Sequence, residues 1–180
     1  MRLKSMIFKA IVASLLSSIV TFVAGLLLHL VINVNSSSAS IAINIALCFI
    51  SAISYAIILV ALLHIYQGNG EGDVWEDYPE KYSGILRDLP KIVAKERNIL
   101  FLILSINVLH FALRSLNLSF WHISIINSIT DLLISTCPLV ILFPDTIPYM
   151  LIGYLCGTLF TCCTYVAVFG IFRWKWRRFM

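Results

Sequence analysis

The chain has 180 residues, of which 60% are hydrophobic and 12% charged, with a mean hydropathy of +0.94. A soluble domain of this size buries only about 70% of the surface its unfolded chain exposes, so that much apolar surface has no place in water. The formal charge of +4 sits in short clusters flanking apolar runs rather than on one basic face, which argues against nucleic-acid binding.

The first apolar run, residues 6–34, follows a basic leader of Arg2, Lys4 and Lys9. A secretory signal has an apolar core of about 7–15 residues, so this longer run predicts an uncleaved membrane helix. Along it Ala10, Ser14, Thr21 and Gly25 recur every three to four residues or multiples of that step. Small side chains so placed let two helix backbones approach closely where lipid supplies no hydrophobic drive to join them. A polar turn, residues 33–40, leads to the second run, residues 41–66.

Residues 67–98 form the one long hydrophilic loop, opening on Gly68, Gly70 and Gly72. Trp75, Tyr78 and Tyr82 follow at helical spacing among acidic and basic residues. They suit either an amphipathic segment anchored at headgroup depth or a solvated loop whose rings cover the helix ends. Asp88-Leu-Pro90 then reads as a helix start with Pro90 in the first turn.

The third run, residues 99–116, carries His110 and Arg114 one helical turn apart. Trp121 flanks the fourth, residues 122–143, which is interrupted by Asp131 and Pro138. The fifth, residues 147–172, repeats the small-residue device at Gly153, Gly157 and Thr161 and ends in a basic tail with Trp174 and Trp176, further interfacial anchors.

Twelve of the thirteen Lys and Arg flank the first, third and fifth runs, the exception being Arg114. If all five runs cross, eight basic residues lie inside and five outside; if residues 122–143 dip in and return, twelve lie inside and one outside. Because Lys and Arg in short loops stay cytoplasmic, the second arrangement is favoured. The expected fold is therefore an all-α, polytopic transmembrane bundle of the cell membrane, with four full crossings plus one re-entrant or interfacial segment; five crossings is the alternative. The amino terminus, the 67–98 loop and the carboxyl terminus are then cytoplasmic.

An ionisable group inside an apolar run is costly to keep and so marks a candidate site. Asp131 is that group, with His110, Arg114, His122 and His29 as candidate neighbours toward the outer leaflet. An ion pair of Asp131 with Arg114 that merely fixes a hairpin is the architectural alternative. The five cysteines, Cys48, Cys137, Cys156, Cys162 and Cys163, all lie in apolar runs, and their odd number argues against a disulfide framework. No metal-ligand spacing or phosphate-binding glycine loop occurs, so no metal or cofactor is expected. The functional expectation is a non-enzymatic accessory, assembly or immunity-type component that contacts a protein partner through the 67–98 loop. A small transporter or channel subunit and an intramembrane lipid-processing enzyme are the alternatives. The small-residue faces join helices within the chain or in a homo-oligomer.

Overall fold

The computed structural model describes residues 3–31, 37–65, 85–117 and 136–179, together with positions 124, 130 and 133. Four helices make up most of it: α1 (Leu3–Val31), α2 (Ser37–Val60), α3 (Ile85–Leu116) and α4 (Ile147–Phe179). A π-helical turn, Ala61–Ile65, prolongs α2, and a 3₁₀ turn, Pro138–Leu142, precedes α4; among the described residues there is no strand.

Each helix contains an apolar stretch of 25 to 27 residues, long enough to cross a membrane. At about 1.5 Å per residue that is about 37 Å, against a hydrocarbon core of about 30 Å. The outward side chains suit that setting: Phe8, Phe22, Leu30 and Phe101 are each at least two-thirds exposed, which acyl chains accommodate and water does not. Among the described residues the fold is thus all-helical, with four helices long and apolar enough to span a membrane.

Helix α3 starts at Ile85, three residues ahead of the Asp88-Leu-Pro90 start read from the sequence, so residues 85–98 of the hydrophilic stretch are helical. Pro90 lies inside α3 instead of in its first turn. So close to the start the ring costs little, since only the Leu86 carbonyl loses its intrahelical donor. What carries the helix this far is a stripe at three- and four-residue steps: Ile92, Glu96, Ile99 and Ile103 are all buried.

Side-chain pairs give the register. Ser17 on α1 meets Ser51 and Ser54 on α2, and Gly25 meets Leu47, so these two helices run antiparallel. On α3 and α4, Glu96 meets Tyr165, Asn107 meets Thr158 and Arg114 faces the start of α4 at Asp145, again antiparallel. Helix α2 packs on both α1 and α4, and α3 packs chiefly on α4. One core, at the end where α1 and α3 begin, gathers Met6, Ala10, Tyr55, Leu59, Ile92, Ile103, Tyr165 and Phe169. At the opposite end the 3₁₀ turn supplies a second core of Cys137 and Val140 against Met150 and Tyr154.

Small residues set the closest approaches. Ala10 and Ser17 are wholly buried and Ser14 is 1% exposed. The Ser17 hydroxyl donates to the Ser51 carbonyl at 3.0 Å and lies 2.7 Å from the Ser54 hydroxyl. Thr21 is half-buried and bonds back to the Ser17 carbonyl, while Gly25 keeps ordinary room beside Leu47. On α4 the glycines face the 136–143 segment: a Cβ on Gly153 would meet the Phe143 ring at 2.9 Å, and one on Gly157 would overlap the Cys137 sulfur. Thr161 is buried on the same helix.

Candidate functional site

Polar side chains inside a bilayer need partners, because nothing in the hydrocarbon supplies them. In this bundle they collect at two levels. The first lies beyond mid-helix on α3, toward its carboxyl end, where Asn107, His110 and Arg114 succeed one another at three and four residues and so face α4 and the segment before it.

Asn107 is 1% exposed and its amide is used on both sides. Its Nδ2 donates to the Thr136 carbonyl at 3.1 Å and to the Thr158 hydroxyl at 3.0 Å. The Thr136 hydroxyl lies 2.6 Å from Asn107 Oδ1 and 2.7 Å from the Leu133 carbonyl, and shares its single proton between them. One asparagine thereby ties α3, α4 and the turn between them. The turn is pinned from its other side by Cys48 of α2, whose thiol donates to the Pro138 carbonyl at 3.2 Å.

His110 is wholly buried, with the Thr130 backbone within reach of its ring. Its ring stands edge-to-face on Tyr154, with centroids 5.0 Å apart at 89°, and Phe111 meets the same tyrosine at 5.4 Å. The Tyr154 hydroxyl is likewise buried, with the Arg114 side chain beside it. Farther out, Arg114 forms a 2.6 Å ion pair with Asp145. Asp145 immediately precedes α4, so the pair clamps the mouth of the α3–α4 seam.

Along that seam runs a cleft of ≈ 210 Å³. Its walls are Leu104, Val108 and Phe111 of α3 and Leu151, Leu155 and Leu159 of α4, with Asn107, Thr158 and Tyr154 also lining it. Because Asn107 and Thr158 already satisfy one another, the cleft presents hydrocarbon.

The second polar level lies near the start of α3. Glu96 is 3% exposed and its Oε2 accepts the Tyr165 hydroxyl at 2.9 Å, within the core where α1 and α3 begin. Sequence reasoning set Glu96 within the hydrophilic 67–98 stretch, on the helix begun at Asp88-Leu-Pro90, and did not single it out. The available signal was its place on the Ile92–Ile99–Ile103 stripe, which a loop boundary drawn by hydropathy conceals.

His29 is exposed in the last turn of α1, and no hydrogen bond or ring contact joins it to His110 among the described residues. Asp131, His122, Trp121, Trp75, Tyr78 and Tyr82 lie outside the described residues, as do the side chains of Trp174 and Trp176. Among the described residues no group of three or more His, Cys, Asp or Glu side chains could hold a metal ion, and all five cysteines are free thiols. Chemically, the arrangement binds helices to one another and leaves an apolar cleft capped by an ion pair. Comparison with family models, with curated proteins and with solved structures gave no match.

Proposed function

We propose that this is a multi-pass cell-membrane protein that works by contact rather than by turnover: an accessory, assembly or immunity-type component that engages a protein partner through residues 67–98. The observation that carries this reading is where the buried polar groups go. Asn107, Thr136 and Thr158 bond one another, Ser17 bonds α2 and Tyr165 bonds Glu96. Groups committed to holding helices in register suit a scaffold, whereas a catalyst must keep some of them for its substrate.

The same reading has four crossings, with residues 122–143 dipping in and returning. In its favour, Pro138–Leu142 is short and irregular, and Pro138 and Val140 in it are buried. Backbone that is not helical is tolerated at membrane depth where protein covers it. The termini and residues 67–98 then share the cytoplasmic side with twelve of the thirteen basic residues.

A photo-crosslinking amino acid at Tyr82, introduced into the full-length protein in native membranes, tests the partner. One dominant protein adduct is expected, and it should be lost when an excess of the uncrosslinkable protein is coexpressed. A ladder of unspecific adducts, or none, would end the contact reading.

A further inference from the structure

We infer that the α3–α4 cleft holds one acyl chain of a zwitterionic phospholipid, with the phosphate at Arg114 and the ammonium at Asp145. Three observations converge on this occupant.

The first is size. The cleft is ≈ 210 Å³, whereas even a 10 Å length of helix, about 10 Å across, needs on the order of 800 Å³. A single hydrocarbon chain fits and a partner helix does not. From Leu104 to Phe111 the wall runs about 10 Å along α3, at about 1.5 Å per residue, so the chain lies along the helices as lipid chains lie in a leaflet.

The second is access and polarity. Leu104, Val108, Leu151, Leu155 and Leu159 are all exposed on the outer face of the bundle, so the cleft opens sideways to lipid. Of its three polar lining residues, Asn107 donates to the Thr158 hydroxyl at 3.0 Å and Tyr154 keeps its hydroxyl buried, so the cleft surface is hydrocarbon.

The third is the order of charges at its mouth. Beyond Phe111 comes Arg114, with 18% of its side chain exposed, and beyond it Asp145, with 62% exposed. A phospholipid leaving such a cleft presents glycerol, then phosphate, then ammonium. The sheltered cation therefore meets the phosphate and the open carboxylate meets the ammonium. The existing ion pair uses Arg114 Nη2 and Asp145 Oδ1, and a guanidinium has five N–H donors and a carboxylate two oxygens, so both ligand contacts form with the pair intact. A purely anionic headgroup would instead crowd Asp145. The second acyl chain stays in the surrounding bilayer.

Native mass spectrometry of the full-length protein in mild detergent tests this, with palmitoyl-oleoyl phosphatidylethanolamine, the matching phosphatidylglycerol and the matching diacylglycerol as probes. One bound phosphatidylethanolamine is expected, retained about tenfold better than phosphatidylglycerol and about a hundredfold better than diacylglycerol, the scale of one and of two charge-assisted contacts. Asp145→Asn should erase the difference between the two phospholipids. Val108→Trp, at a position 58% exposed, should fill the cleft and abolish retention of all three. Both changes lie at exposed positions, and an unchanged thermal midpoint in detergent establishes that each variant is folded. Arg114→Gln should lower both phospholipids to the level of diacylglycerol. Equal retention of the three probes, retention by Val108→Trp, or no retention by the wild type overturns the proposal. Such a result leaves the partner reading standing, since that turns on residues 67–98.

Discussion

Tyr165 and Glu96 show how much one hydroxyl can carry. Both are buried, and the phenol donates to the carboxyl at 2.9 Å in the core that joins all four helices. Replacing the tyrosine with phenylalanine keeps the packing, including its parallel stack with Phe169, and removes only the donor. A buried acceptor deprived of one partner costs about 1–3 kcal/mol. Tyr165→Phe should therefore lower the thermal midpoint in detergent measurably, and Glu96→Gln in the same background should recover part of the loss. An unchanged midpoint for Tyr165→Phe would show that the bond contributes nothing. Sequence alone could not pair these residues, which stand 69 positions apart; the stripe on α3 hinted only that Glu96 faces inward. Arg114 teaches the same lesson, for its carboxylate lies 31 positions on, just before α4.

Among the elements, α4 and the segment before it form the most closely fitted pair. Gly157 leaves the space that the Cys137 sulfur occupies, and Gly153 leaves space for the Phe143 ring. Adding one methyl at Gly157 forces the turn away from α4, and overpacking of this kind costs about 1–3 kcal/mol. Gly157→Ala should lower stability by that amount in a detergent melt. Cys137→Ala combined with it should restore most of the loss, because the two sites share one space and are not additive. Full additivity would mean that the clash lies elsewhere. Spacing on the last helix marks where small residues recur, yet it is silent on what fills the room they leave. Here that is an irregular turn of the same chain, which no helical periodicity announces.

At the scale of the whole molecule, four apolar helices with α1–α2 and α3–α4 antiparallel bring the starts of α1 and α3 and the ends of α2 and α4 to one end of the bundle. Fusing a reporter active only in the cytoplasm to either terminus should give signal at both ends. A carboxyl-terminal fusion silent with this reporter, but giving signal with one active only outside the cytoplasm, would mean five crossings. The bundle's two cores also differ in make-up: aromatic and aliphatic side chains of all four helices fill one, and the turn at 136–142 plugs the other.

Membrane residence and the existence of four long helices were legible in the residues themselves. A hydrocarbon solvent forces every spanning segment to satisfy its own backbone, and this leaves an unmistakable run of apolar side chains. The start of α3 was legible to within a turn from Asp88-Leu-Pro90, although hydropathy marks only where a helix enters lipid and not where its hydrogen bonding begins. Only the packed structure decided which polar groups meet. Asn107 with Thr136 and Thr158, Glu96 with Tyr165, and Arg114 with Asp145 are each brought together from distant parts of the chain by how the helices lie against one another. The cleft between α3 and α4 is likewise a property of that arrangement, since it belongs to the gap between two helices and to neither alone.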